Sequence, residues 1–92
     1  LFRSALLGGF AQSRVLEVHG ERMLQGNYVP GFRTELFAKD LRNVAGALGE
    51  HQVHGAVTAA ATQLVTTLMA QGRGQRDYSE LGKLIFELAG LE

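Results

Sequence analysis

The chain has no cysteine and a single proline in 92 residues. Without cysteine there is no disulfide, no thiolate nucleophile and no cysteine metal site. That composition suits a reducing compartment. An excess of charge is also missing, since nine Lys and Arg balance nine Asp and Glu. A neutral chain carries no electrostatic footprint for nucleic acid or an anionic membrane surface, so neither partner is expected. Zero net charge favours self-association instead, and a homo-oligomer is expected. No apolar run reaches the ~18 residues that a membrane helix needs. The opening Leu1-Phe2-Arg3 has no charged leader of the secretory kind, and a cytoplasmic location is expected. The dinucleotide fingerprint G-x-G-x-x-G is absent, and no segment alternates at period two long enough to be a strand.

What is present is ordinary globular composition, 46% apolar and 20% charged, which excludes a disordered tail. A chain of this length makes one domain, and it buries only about 60–65% of the surface its unfolded form exposes. The periodicity predicts an all-α bundle of four to five helices. The first is a stub from Leu1 to about Leu7, stopped by Gly8-Gly9, whose paired glycines favour left-handed or extended backbone. A helix that begins so close to its own end implies a longer parent chain. The second runs from Ser13, its N-cap, to about Leu24, with Val15, Leu16, Val18 and Met23 on its apolar face. Gly20 inside it costs about 1 kcal/mol relative to alanine.

Pro30 and Gly31 then suit a type II turn, with Gly31 at the position that needs positive φ. The third helix spans about Thr34, a second N-cap candidate, to His51. Phe37, Leu41, Val44, Ala45 and Leu48 form its buried stripe. The fourth spans about Gly55 to Gln71, with Val57, Ala61, Leu64, Val65, Leu68 and Met69 facing inward. Gly72-Arg73-Gly74 ends it. The fifth opens on Asp77, read as an N-cap, with Glu80 three residues on completing a capping box. Leu81, Leu84, Ile85 and Leu88 line its inner face, and Gly90 closes it.

Few residues carry a chemical signal. Gly72-x-Gly74 follows a helix rather than a strand, so it reads as a helix–helix turn and not a phosphate cradle. His51 and His54 are three apart, but a structural zinc needs about four ligands, and no metal site is assigned. Thr62, Thr66 and Thr67 are expected to bond the carbonyl one turn back or to face solvent. Lys39 stands out by position: it sits one turn into the third helix, beside Asp40, seven residues after the Pro30-Gly31-Phe32 turn. A cation there can meet a phosphate or carboxylate as a point charge.

The ordered set Ala5-Leu6-Leu7-Gly8-Gly9, Ser13-x-Val15-Leu16, Tyr28-x-Pro30-Gly31-Phe32, Lys39-Asp40-Leu41 and Gly72-x-Gly74-x-x-Asp77-x-Ser79 resembles the C-terminal helical domain of the β-hydroxyacid dehydrogenases. That is the family of 3-hydroxyisobutyrate dehydrogenase and tartronate semialdehyde reductase. The GGFAQSRVLEVHGERM stretch is most similar to the latter branch. The resemblance covers nearly the whole chain. It implies a 6-phosphogluconate dehydrogenase C-terminal-like bundle, belonging to an enzyme that moves a hydride between NAD or NADP and a small β-hydroxy acid.

The same resemblance implies cofactor contact for Lys39 and a nicotinamide-side packing role for Phe32. Asp40 and Asp77 are implied to be structural. The family's general acid/base lysine and its Rossmann domain fall upstream of Leu1, so no catalytic residue is assigned within residues 1–92, and these residues alone are expected to be inactive. The chain departs from the family at Gln52-Val53-His54-Gly55-Ala56, where a Gly-x-Pro-x-Pro turn is usual. A stand-alone helical interaction module is the alternative reading; a DNA-binding helical domain is remote because the charge is balanced.

Overall fold

The computed structural model describes residues 1–91. Five helices follow one another: α1 (Phe2–Leu7), α2 (Arg14–Gln25), α3 (Thr34–Glu50), α4 (Ala56–Ala70) and α5 (Glu80–Leu88). Among the described residues the only strand-like element is an isolated antiparallel bridge between Arg33 and Asp77. The fold is the all-α bundle that the periodicity predicts.

α3 and α4 form a long antiparallel hairpin and pack most extensively, and α2 and α5 lie against each other at one end. The core is small. Ala38 and Leu41 of α3 meet Val65 of α4, with Phe37 and Leu81 packed against them. Leu68 and Leu84 are almost wholly buried as well.

Ser13 caps α2 as expected: its Oγ accepts the Leu16 N–H at 3.0 Å. Gly26 closes that helix in the left-handed conformation, with φ of 64°. Gly20 is explained by packing. A Cβ there would lie 3.1 Å from Cδ of Arg3, whose guanidinium donates to the Glu17 carbonyl at 2.9 Å and ties α1 to α2. Thr62 and Thr67 donate to the carbonyls of Thr58 and Gln63, one turn back, as expected.

Several expectations are corrected. α1 does stop before Gly8, but Gly8 stays right-handed, at φ −82°. Gly31 is not among the positive-φ glycines, so the turn at Pro30-Gly31 is not type II. Thr34 is not the cap of α3; Arg33 holds that position without a side-chain bond, and Thr34 is fully buried inside the first turn. α5 begins at Glu80 with Ser79 as its cap residue, so Asp77 does not form a capping box. Glu80 is instead nearly buried between Arg73, at 2.8 Å, and Arg76, at 3.1 Å. His51 caps the C-terminus of α3 and His54 lies in the loop beyond it, so they share no helix face. The predicted stripes are only partly buried: Val15, Val44, Val57, Met69, Ile85 and Leu88 are all exposed. A bundle this small lacks enough partner surface to cover every apolar position.

Candidate functional site

Two loops that are remote in sequence meet between the helix ends. One joins α2 to α3, and the other joins α4 to α5. Gly72 turns the chain out of α4 at φ +74° and sends it back towards α3. The loops then join edge to edge through main-chain bonds. Asp77 N–H donates to the Tyr28 carbonyl at 3.1 Å, Tyr78 N–H to Phe32 at 2.8 Å, Thr34 N–H to Arg76 at 2.9 Å and Glu35 N–H to Gly74 at 3.0 Å. The Thr34 hydroxyl donates to the Arg76 carbonyl as well, at 3.0 Å. This is why a polar residue is buried in the first turn of α3. Its N–H and hydroxyl are both satisfied by one carbonyl across the seam.

Asp77 sits at the centre of the seam, with no exposed surface. Its Oδ1 accepts the N–H groups of Gly31 and Phe32 at 2.9 and 3.0 Å. Oδ2 accepts the Ser79 N–H at 3.0 Å and the Ser79 hydroxyl. Arg22 Nη1 stands 3.3 Å from Oδ1 and also donates to the Val29 carbonyl at 2.6 Å. Burial alone would raise the Asp77 pKa. The Ser79 hydroxyl and the three N–H donors outweigh it and hold the carboxyl at about 2. Asp77 is therefore an ionised anchor for the 30–32 turn at ordinary pH. Gly31 serves close approach here, since a Cβ would lie 3.2 Å from Arg22 Nη2 and 3.5 Å from Asp77 Oδ1.

Tyr78 gathers the aromatic side chains. Its ring meets His19, Phe32 and Phe37 edge-on, with centroids 4.6, 5.3 and 5.1 Å away. Burial and then the Asp77 charge raise its phenol pKa. Phe32 is thus braced from behind by Tyr78 and held through its own backbone by Asp77. Its outer side helps to line a shallow hollow shared with Pro30, Gly31, Arg33, Leu36 and Gln75.

Lys39 is exposed on α3, and its ammonium lies 3.6 Å from the Asp40 carboxylate, also exposed. Leu36, which lines the hollow, precedes Lys39 by three residues and Asp40 by four, so the three share one helix face. Lys39 itself is not part of the hollow's lining, and its ammonium is turned to Asp40. The hollow offers an aromatic wall from Phe32, suited to a planar ring, with the Arg33 cation in the same lining. A second groove, of about 400 Å³, lies between α2 and α5, walled by Val15, Met23, Ile85 and Phe86. It has no lysine or arginine in its lining and offers an anion no fixed cation.

The sequence singled out Lys39, Phe32 and Asp77, and the fold puts Phe32 and Asp77 in direct contact. It did not single out Arg22, His19 or Tyr78 as neighbours of Asp77. The one local signal was the Asp77-x-Ser79 spacing, which favours a side-chain-bonded turn.

A family model described as "NAD-binding of NADP-dependent 3-hydroxyisobutyrate dehydrogenase" matches residues 1–85. The 2-hydroxy-3-oxopropionate reductase of Escherichia coli (strain K12) is 43% identical over 79 residues, which are 86% of this chain and 27% of that protein. The chain thus spans about a quarter of the length of this curated relative.

Proposed function

This chain belongs to the family of the NAD-binding domain of NADP-dependent 3-hydroxyisobutyrate dehydrogenase, and from that premise we propose that it is the helical, cofactor-facing part of an NAD(P)-dependent oxidoreductase. The parent enzyme acts on a small β-hydroxy acid of the 3-hydroxyisobutyrate or tartronate semialdehyde type. The 2-hydroxy-3-oxopropionate named for the E. coli relative is a compound of this class. The proposal extends to a C-terminal placement of the chain within that enzyme, and to a homo-oligomer.

The observation that supports it is the braced Phe32 ring at the wall of one hollow; Lys39 follows on the next helix, outside that lining and beside Asp40. The fit to a pyridine nucleotide is chemical. A half-buried aromatic ring, braced from behind, can pack against a planar nicotinamide. An exposed ammonium such as that of Lys39, now 3.6 Å from Asp40, can meet a phosphate or carboxylate as a point charge. Arg33 at the rim of the hollow adds a second cation, although it is engaged by Glu35 at 3.1 Å. The bound nicotinamide would supply the hydride-transfer chemistry. This chain's residues would hold and orient it and would narrow its access to water. The group that takes the substrate's hydroxyl proton is assigned to the remainder of the parent enzyme.

Lys39→Ala in the parent enzyme tests the reading. Losing a charge-assisted bond to a ligand costs about 1.5–3 kcal/mol, so KM for cofactor or substrate should rise about tenfold or more. Removing an exposed lysine costs under about 0.5 kcal/mol of stability, and the melting temperature should barely move. Unchanged kinetics would return Lys39 to the solvated surface and remove the site.

A further inference from the structure

We propose that Asp77 is a positioning residue for the cofactor-facing wall: it fixes the backbone of Gly31 and Phe32, and through them the direction of the Phe32 ring. The inference rests on the reading above and adds to it a residue that does not touch the ligand.

The geometry is specific to that role. Of the partners of this carboxylate, three are backbone N–H groups: two in the 30–32 turn and one at Ser79. Oδ1 takes two consecutive N–H groups, those of Gly31 and Phe32, at 2.9 and 3.0 Å. A single acceptor shared by consecutive amides sets the orientation of both peptide planes, and so the exit direction of the Phe32 side chain. Oδ2 is bound to Ser79, which orients the carboxylate from its own loop. The ion pair with Arg22 and the nearby His19 Nδ1, at 3.9 Å, close the rear side. Tyr78, the next residue along, then meets Phe32 edge-on and limits its rotation. One short segment therefore controls both the backbone and the ring of the residue assigned to the nicotinamide.

A structural residue of the same seam provides the contrast. Thr34 is equally buried and also bridges the two loops, but its bonds run to Arg76 and do not reach the 30–32 turn. The two roles separate in an experiment on the intact parent enzyme. Asp77→Ala, Asp77→Asn and Thr34→Val are compared for affinity towards NADPH and NADH by titration, for thermal stability, and for hydrogen exchange at residues 28–34 in the absence of ligand.

Misplacing a binding group by about an ångström can reduce catalysis by about 100-fold, so Asp77→Ala should weaken cofactor binding by about 10- to 100-fold. Asp77→Asn keeps one oxygen for the two amides and should rescue a large part of that loss. Both should speed exchange at Gly31 and Phe32 in the same order. Thr34→Val should lower stability but leave cofactor affinity within about twofold. If Asp77→Ala does not fold, Asp77→Asn against Thr34→Val decides the question by exchange and affinity together. Unchanged affinity in Asp77→Ala, or unchanged exchange at Gly31 and Phe32 in Asp77→Asn, with Phe32→Ala and Lys39→Ala both weakening cofactor binding, overturns the role of Asp77 alone. If none of the Phe32, Lys39 and Asp77 variants changes cofactor affinity, the cofactor-facing reading falls and this inference with it.

Discussion

Asp77 shows how far a single residue's role depends on what surrounds it. Read locally, with Glu80 three residues on, it is a helix cap. In the fold its Oδ1 goes across the seam to Gly31 and Phe32 while Oδ2 stays with Ser79, and Glu80 turns to Arg73 and Arg76. This has a consequence at acid pH. The carboxyl is held at about 2 in the folded chain, against an ordinary value of 3.8. A depressed carboxyl pKa stabilises the fold above the unfolded value, and that stabilisation is lost as pH falls from about 4 towards 2. The shift corresponds to about 2 kcal/mol. The stability gap between the parent sequence and Asp77→Asn should therefore be near its full size at pH 6 and shrink to a few tenths of a kcal/mol, roughly, at pH 2. Denaturant titrations at the two pH values check it; a gap independent of pH would show that the carboxylate's charge is not what holds the turn.

The helices themselves were largely legible, because each depends on neighbours three or four positions away. Ser13 capping α2, the threonine back-bonds of α4 and the stop at Gly72 are all local events, and all are present. The stripes were less legible. Val57 and Leu68 belong to the same predicted face of α4, yet Val57 is 84% exposed and Leu68 is fully buried. Periodicity states which face is apolar, but only packing decides how much of its length finds a partner. Leu68→Ala should cost about 2–5 kcal/mol, the range for a buried leucine that leaves a cavity. Val57→Ala should stay within about 0.5 kcal/mol. Chemical denaturation of the two variants measures both, and equal losses would mean that the outer end of α4 is covered in solution.

At the scale of the whole molecule the surface is larger than its mass warrants. A folded chain of 10.0 kDa is expected to expose about 5,200 Å², and this one exposes 6418 Å². Its radius of gyration of 14.2 Å likewise exceeds the roughly 12 Å of a compact chain this long. Much of the excess is apolar, with Phe2, Phe10, Val15, Ile85, Phe86 and Leu88 all exposed. Among the described residues no helix is long and apolar enough to cross a membrane. The shape suits a unit that supplies one wall of a site. We predict that residues 1–92 alone neither turn over a small β-hydroxy acid nor bind NADPH or NADH with micromolar affinity. Hydride transfer needs the nicotinamide against the substrate carbon and a proton acceptor within about 3 Å of the hydroxyl. Of those parts, Phe32 and Lys39 alone are assigned to the described residues under the proposed function. Assay with tartronate semialdehyde and calorimetric titration of both cofactors give the answer, and turnover would show a complete site within these residues.

What the sequence determined by itself is the content that travels along the chain. It set the all-α class, the order and approximate ends of the helices, the family likeness and the two positions, Phe32 and Lys39, that the likeness marks. Helix periodicity, caps and glycine stops act over a few residues, so they can be read without the fold. The tertiary structure alone decided that the turn before α3 is held by a carboxylate 45 residues away, and that Arg22, His19 and Tyr78 surround it. It also decided which apolar positions found a partner. Hydrogen bonds and burial between distant segments depend on where the chain returns in space, and no local pattern encodes that return.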